Sequence, residues 1–220
     1  MRKFLLLFLL LISLSGFAQE KKICITFDDL IYSSRYFRDP DFQFDRSLNL
    51  LGTLMSYRVP AIGFVNERKL YNGNRIVTKK LNLLEKWLMN GFELGNHTYS
   101  HKDYNTTPLS DFIEDITKGE KYIKPVCEKY NKPLKYFRHP YLHRGDSKEK
   151  VEELESYLKD AGYIEAPVTI DNAEWIFAAA YDSLLYARET KTLEKIKSDY
   201  IKYMEAKLTY YESQSEKLFG

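Results

Sequence analysis

The sequence predicts an α/β fold built on a parallel sheet or barrel. Short apolar runs alternate with longer stretches in which apolar residues recur at helical spacing, and this alternation is typical of repeated β–α units. Polar and charged residues follow several of the apolar runs directly, at the positions where parallel folds carry their chemistry. Residues 19–220 are enough for one domain with a substantial core.

The N-terminal segment is expected to be removed on export. Two basic residues precede an apolar run from Phe4 to Leu14, and small residues follow it as far as Ala18. The run is too short to cross a bilayer, so residues 1–18 are interpreted as a signal peptide. We therefore expect a periplasmic or secreted protein that has no stable membrane anchor after cleavage.

Charge and cysteine content exclude some classes of partner and scaffold. Residues 1–18 carry two of the 33 basic residues and none of the 31 acidic ones, so the rest of the chain is formally neutral. This balance gives no electrostatic reason to expect nucleic acid or anionic lipid as a partner. Cys24 and Cys127 are too few for a disulfide scaffold, and we expect both to be buried free thiols.

The first half of the chain contains two predicted β–α units. Residues 23–27 (ICITF) and 61–65 (AIGFV) are short apolar runs with the composition of strands. Each is followed by a stretch of helical period, at residues 45–57 and 77–90.

The second half continues this alternation. Further strands are predicted at 92–96 (FELGN), 135–141 (KYFRHPY), 163–166 (YIEA) and 168–171 (VTID). Helices are predicted at 108–130 and 147–161. From Leu193 onward, the apolar spacing is that of one long amphipathic helix.

Chemically reactive side chains follow the predicted strands, and in a parallel fold they would share one face. They are, in chain order, Asp28, Asp29, His97, His101, Arg138, Asp171 and Trp175. The sequence therefore predicts one site assembled from residues that are far apart in the chain.

The spacing of two histidines points to a metal site. His97 and His101 are four residues apart, so on a helical turn both imidazoles would lie on one face. With one carboxylate they make three protein ligands and leave an open position for water, which is typical of catalytic zinc. One of Asp28 and Asp29 could bind the metal while its neighbour accepts a proton from the metal-activated water.

Other interpretations of these residues remain open at this point. Two histidines and a carboxylate also form the facial triad of non-haem iron enzymes, although the strand–helix alternation and the second aspartate argue against that class. The histidines could also be surface residues, and the aspartate pair could cap a helix.

The motifs TFDD (26–29), HTYSH (97–101) and RHPY (138–141) resemble the first three motifs of the polysaccharide deacetylases, which are the NodB homology or carbohydrate esterase family 4 proteins. DNAEW (171–175) is similar to their fourth motif, with Glu174 where the usual pattern has Asp. This resemblance implies a distorted (β/α) barrel. It also implies metal-dependent removal of N- or O-linked acetyl groups from a polysaccharide or oligosaccharide.

The resemblance further implies a role for each matching residue. Asp29, His97 and His101 match the metal ligands, with Zn²⁺ as the expected ion. Asp28 matches the catalytic base, and Arg138 matches the arginine that orients this base.

Three further roles follow from the same resemblance. The backbone N–H of Tyr141 matches a donor to the substrate oxyanion. Asp171 or Glu174 would pair with Arg138, and Trp175 would form part of the wall around the acetyl methyl group.

The family has a fifth motif, a histidine that protonates the leaving group and follows a short apolar strand near the C-terminus. All four histidines here precede Arg144. We therefore expect a barrel without its last strand, in either a truncated or a naturally short form, and poor hydrolysis of N-acetyl sugars. The alternative function is that of a catalytically impaired, carbohydrate-binding relative.

Overall fold

The computed structural model describes residues 23–219, so the predicted signal peptide lies outside the described residues. Its strands are β1 (Ile25–Leu30), β2 (Ala61–Val65), β3 (Tyr71–Asn72), β4 (Arg75–Ile76), β5 (Glu93–Asn96), β6 (Tyr136–Phe137) and β7 (Ile164–Glu165). Its helices are α1 (Pro40–Tyr57), α2 (Thr78–Met89), α3 (Leu109–Lys118), α4 (Ile123–Lys129), α5 (Lys148–Asp160), α6 (Glu174–Ala187) and α7 (Thr190–Phe219).

Five of these strands form one parallel sheet in the order β1-β2-β5-β6-β7, and β3 and β4 form a small antiparallel hairpin. The predicted α/β class with a parallel sheet is confirmed. Within residues 23–219 the sheet is open, with β1 and β7 at its edges.

Helices pack on the sheet through two clusters of buried side chains. The first cluster joins α1, α2 and α4 to β1, β2 and β5, and Trp87 of α2 is among its largest members. The second joins α3 and α5 to β6 through Phe112, Phe137, Leu154 and Leu158. Leu154 and Leu158 are one helical turn apart, so α5 presents one apolar stripe to the sheet.

Close packing in the sheet requires a glycine in β5. A Cβ atom at Gly95 would lie 2.4 Å from Cε1 of Phe64, which is closer than real side chains approach. The missing side chain leaves room for the Phe64 ring, and the guanidinium of Arg138 lies over that ring at 4.3 Å from its centroid. The packing of Gly95 against Phe64 therefore helps to fix the position of Arg138, a predicted site residue.

Several predicted boundaries differ from the structure. Helix α1 begins earlier than predicted, because Asp39 caps it through the Asp41 N–H and Pro40 starts its first turn. The single helix predicted over 108–130 is two helices, α3 and α4, which are separated near Gly119. There the chain passes the Thr98 backbone so closely that a Cβ at Gly119 would lie 2.8 Å from the Thr98 carbonyl carbon.

Two further sequence predictions are wrong. Residues 168–171 do not form a strand, and the preceding Pro167 lacks the N–H that a strand ladder would need. Cys24 is exposed at the start of β1, whereas Cys127 is buried as predicted.

The C-terminal part is a pair of helices, α6 and α7, and the long helix predicted from Leu193 corresponds to α7. Helix α6 contacts the loop after β1, where the hydroxyl of Tyr32 donates to Asp182 at 2.7 Å and that of Ser34 also donates to Asp182. Among residues 23–219, no helix has the length and apolar character needed to cross a membrane.

Candidate metal centre

Three predicted ligands meet at the carboxyl ends of β1 and β5. Ligand atoms of Asp29, His97 and His101 all lie within 4.8 Å of one another. His97 is buried, and the other two are partly buried. Strand ends that are distant in sequence therefore place one carboxylate and two imidazoles around a common point.

Asp28 and Asp29 lie inside β1 rather than after it, because the strand continues to Leu30. The register with β2 shifts between Phe27 and Leu30, and Asp29 has a φ of 57°. This irregularity interrupts the alternation of side chains that a regular strand imposes. Both neighbouring carboxylates can therefore serve the same site.

The two histidines are brought together by a loop and not by the helical turn that their spacing suggested. Residues 97–101 have no helical assignment, and Thr98 and His101 both have positive φ. The His101 N–H donates to Oγ1 of Thr98 at 3.0 Å, and the two imidazole centroids are 4.9 Å apart.

Burial favours the neutral form of His97, and a hydrogen bond orients its ring. Its Nδ1 lies 2.8 Å from the backbone carbonyl oxygen of Arg138, so Nδ1–H donates and Nε2 keeps its lone pair. Burial lowers the pKa of His97, against the opposing effect of Asp28. A neutral imidazole oriented by a second hydrogen bond is the usual form of a metal-binding histidine.

Arg138 holds Asp28 beside these ligands. Its Nη1 donates to Oδ1 of Asp28 and to Oγ1 of Thr26, both at 2.9 Å, and its Nε donates to the Ala166 carbonyl at 2.9 Å. The Arg138 side chain is only 3% exposed, whereas the Asp28 side chain is 34% exposed, so the arginine is buried and the carboxylate remains open to solvent.

The expected ion pair between Arg138 and Asp171 or Glu174 does not form among the described residues, where Asp28 is the carboxylate partner of Arg138. Because residues 168–171 are not a strand, Asp171 lies in an exposed loop. Burial raises the pKa of the Glu174 carboxyl, and the carboxylates of Asp28, Asp171 and Asp29 raise it further. Glu174 therefore lies near other carboxylates, and no ion pair with a cation is found for it among residues 23–219.

Tyr141 and Trp175, the two aromatic residues predicted to contact the substrate, lie in different surroundings. The Tyr141 ring packs edge-on against His101 with centroids 4.5 Å apart, and Tyr141 has a φ of 58°. Leu142 and His143 donate their N–H groups to neighbouring carbonyls, whereas no acceptor is found for the Tyr141 N–H within the described chain. Trp175 is the second residue of α6 and is 66% exposed.

Sequence reasoning missed a lysine next to the site. Nζ of Lys69 lies 3.1 Å from Oδ1 of Asp29 and donates to the Asp29 carbonyl at 3.0 Å. Burial alone would raise the pKa of Asp29, but Lys69, His101 and His97 together lower it. Lys69 lies in a turn after β2 without any distinctive spacing, so nothing in the sequence indicated this contact.

A second missed pair lies near the same loop. Nδ1 of His143 is 2.8 Å from Oδ1 of Asp103, and this hydrogen bond lowers the pKa of the Asp103 carboxyl. The His143 ring is next to Tyr141, with centroids 5.8 Å apart. The two partners are 40 residues apart in sequence, so only the fold brings them together.

The donor set fits a divalent metal ion. A carboxylate oxygen and two imidazole nitrogens are typical ligands of catalytic zinc, and three protein ligands leave a position for substrate or water. The lowered pKa values of Asp29 and His97 keep both groups in the form that binds a cation.

Comparisons with known proteins identify a family and several solved structures to which this chain is similar. A family model described as polysaccharide deacetylase matches residues 16–163. A search of curated protein sequences finds no match.

Solved structures with the same fold include the Bc1960 peptidoglycan N-acetylglucosamine deacetylase, at TM-score 0.52 and 17% identity over 71% of this chain and 60% of that one. The peptidoglycan deacetylase PdaC from Bacillus subtilis is similar at TM-score 0.51 and 20% identity over 76% of this chain and 69% of that one. BA3943, a CE4 family pseudoenzyme from Bacillus anthracis, is similar at TM-score 0.50 and 19% identity over 76% of this chain and 51% of that one. The chain thus spans about 60% of the first of these structures.

Proposed function

Since the chain belongs to the polysaccharide deacetylase family, we propose that it is a metal-dependent hydrolase that removes N- or O-linked acetyl groups from a polysaccharide or oligosaccharide. One observation carries this proposal. The ligand atoms of Asp29, His97 and His101 converge within 4.8 Å, and Asp28 is held beside them by Arg138 at 2.9 Å.

The proposed metal ligands are Asp29, His97 and His101, and the proposed ion is Zn²⁺. When bound, the ion would supply Lewis acidity toward the acetyl carbonyl and a water of lowered pKa. Asp28 acts as the general base that takes the proton of the attacking water. Arg138 fixes the Asp28 carboxylate through an N–H to Oδ1 contact of 2.9 Å.

The substrate contacts follow from the same geometry. The N–H of Tyr141, for which residues 23–219 supply no acceptor, is a donor for the carbonyl oxygen as negative charge develops on it. Trp175 is proposed to lie along the acetyl group, and Asp171 to act with Glu174 as an acidic partner at the edge of the site. Neither carboxylate pairs with an arginine among residues 23–219, so their contribution should be smaller than that of Asp28.

The proposal also covers location and partner. The protein acts outside the cytoplasm, as a periplasmic or secreted enzyme, and its partner is an acetylated glycan. The neutral charge of residues 19–220 supports the expectation that neither nucleic acid nor a membrane surface is its target.

Acetate release tests this function. Purified protein is incubated with chitooligosaccharide, peptidoglycan and acetylxylan, with Zn²⁺ present and with a chelator added. We expect acetate from one of these substrates, and we expect the chelator to abolish it. Equal release in the presence and absence of the chelator would contradict the metal-dependent mechanism.

A second candidate function, glycan binding without turnover, is favoured by one contact. The ammonium group of Lys69 lies 3.1 Å from the Asp29 carboxylate and is a competing cation for it. Measurable glycan binding together with no acetate release from the whole panel would support this second candidate.

A further inference from the structure

A cavity in the described part of the chain is separate from the metal centre. A cavity of about 590 Å³ lies between α5, the end of β7 and the loop over residues 139–144. None of the three proposed metal ligands lines it. Its volume is in the range of pockets that bind small molecules.

A buried histidine without a hydrogen-bond partner lines this cavity. His139 is 7% exposed, and neither of its ring nitrogens has a hydrogen bond. Nε2 approaches Oε2 of Glu165 to 3.3 Å, but this contact does not satisfy hydrogen-bond geometry. Buried polar atoms are nearly always paired in folded proteins, so His139 is suited to donate to one ligand group and to accept from another.

The charges around His139 balance one another. Nη2 of Arg144 lies 2.9 Å from Oε2 of Glu165 and also contacts Glu155, and Lys159 lies on the same wall. Two cations and two carboxylates give no net preference for an anion or a cation. Burial lowers the pKa of His139, which therefore remains neutral in this setting.

The rest of the wall is apolar. Leu142, Leu158, Pro167 and Val168 face the same space. A ligand for this cavity thus needs an apolar face together with groups that both donate and accept hydrogen bonds, and it needs no net charge. Sugar rings have these properties, since their hydroxyls donate and accept while their C–H faces are apolar.

We propose that this cavity is a binding site for a neutral saccharide unit, held by His139 and by the Arg144–Glu165 pair. The choice of a saccharide rests on the proposed glycan substrate, whereas the existence of the site does not depend on turnover. Its loop also reaches the metal centre, because Leu142 and Arg144 line the cavity while the Tyr141 ring packs on His101. A ligand bound in the cavity should therefore reduce the mobility of the backbone at Tyr141.

Calorimetric titration of the purified protein with N-acetylglucosamine and its dimer and trimer tests the site, with a chelator present to remove any metal. We expect binding that persists in the chelator and in a His97→Ala variant. We expect His139→Phe to weaken it by about tenfold or more, because the ring still fits against Phe137 but offers no polar atom. His143→Phe is the matched control, since His143 does not line the cavity and should leave binding unchanged.

Other outcomes would overturn the proposal. Unchanged binding in His139→Phe would do so, as would binding that is lost in His97→Ala, because the sugar would then occupy the metal centre alone. The absence of binding by all three probes would also refute it. If His139→Phe does not fold, His139→Leu and Glu165→Gln replace it, and the proposal requires both of these variants to bind more weakly than the wild-type protein. Failure of the acetate-release test would leave these binding results unaffected, so the two proposals can be judged separately.

Discussion

Two of the proposed metal ligands have a supporting contact. The backbone carbonyl of Arg138 orients His97, and Oγ1 of Thr98 receives the His101 N–H, whereas Lys69 competes with a metal for the Asp29 carboxylate. Outer contacts of this kind fix ligand orientation and typically change metal affinity by about 10- to 100-fold when removed. The site is therefore a property of these contacts as much as of the three ligands.

Removal of one ligand should remove the metal. In His101→Ala, only Asp29 and His97 remain of the converging group, and two ligands hold a divalent ion weakly. Elemental analysis of the purified wild-type and variant proteins should show a large loss of bound metal in the variant. His143→Ala is the control, because His143 pairs with Asp103 outside the ligand group. Equal metal content in His101→Ala and wild type would contradict the assignment.

Substitution of Asp28 and of Asp29 should have different effects on metal content and on acetate release. Asp28→Asn keeps all three ligands and loses the base, so we expect metal content to remain and acetate release to fall about 10²- to 10⁴-fold. Asp29→Asn should instead reduce metal content. If only Asp28→Asn failed to bind metal, the two roles would have to be exchanged.

At the level of elements, the sheet depends on the close approach of β5 to β2. The Phe64 ring occupies the space that a side chain at Gly95 would need, and Arg138 lies on the same ring. The position of Arg138 and the packing of two strands are therefore linked.

Gly95→Ala should be destabilising for this reason. The added methyl would lie 2.4 Å from the Phe64 ring, and overpacking of this kind typically costs about 1–3 kcal/mol. Gly52→Ala in α1 is the matched control, because its Cβ would meet nothing within 4 Å and alanine favours the helix by up to about 1 kcal/mol. The free energy of unfolding in urea should fall for the first variant and should not fall for the second.

Helix α6 is attached to the loop after β1 by one carboxylate. Asp182 accepts hydrogen bonds from Tyr32 and Ser34, and Tyr36 stacks on Tyr186 at 5.0 Å. These contacts hold the second half of α6 against the loop that follows β1, the strand that carries both aspartates.

Asp182→Ala should release this attachment. Two hydroxyl groups lose their acceptor, and such a loss typically costs about 1–3 kcal/mol. Hydrogen exchange should become faster in residues 31–37. Asp199→Ala in α7 is the control, because Asp199 only pairs with Lys195 one turn away on an exposed face, where ion pairs contribute little. Similar exchange rates in the two variants would contradict the inferred role of Asp182.

At the scale of the whole molecule, stability should depend on the two buried histidines. Burial lowers the pKa of His97 and of His139 below the ordinary value of 6.5. Folding therefore favours the neutral form of both. Their contribution to stability is complete above the unfolded-state pKa and is lost as the pH falls through that value toward the folded-state pKa.

The metal-free protein should accordingly be less stable near pH 5.5 than near pH 7.5. Urea unfolding at the two pH values, with a chelator present, should give a lower midpoint at the lower pH. In His139→Phe the difference should shrink, because one of the two titrating groups is absent. A wild-type midpoint that rises on acidification would contradict this account.

The sequence by itself was sufficient for the class of fold, and its motifs contained Asp29, His97 and His101, whose ligand atoms the structure brings together. Strand and helix periods are local properties, so the alternation of β and α units could be predicted from short windows. The motifs that contain Asp28, Asp29, His97, His101 and Arg138 could be recognised in the same way, and parallel strand ends explain why these residues meet.

Only the tertiary structure decided how those residues are held and what surrounds them. It replaced the expected helical turn at 97–101 with a loop, brought Lys69 to Asp29, and left Asp28 as the carboxylate partner of Arg138 without the expected second contact to Asp171 or Glu174. These contacts join residues that are tens of positions apart, and they depend on strand register, on the irregularity in β1 and on which helix covers which edge. Such features are set by packing over the whole chain, and no short stretch of sequence contains them.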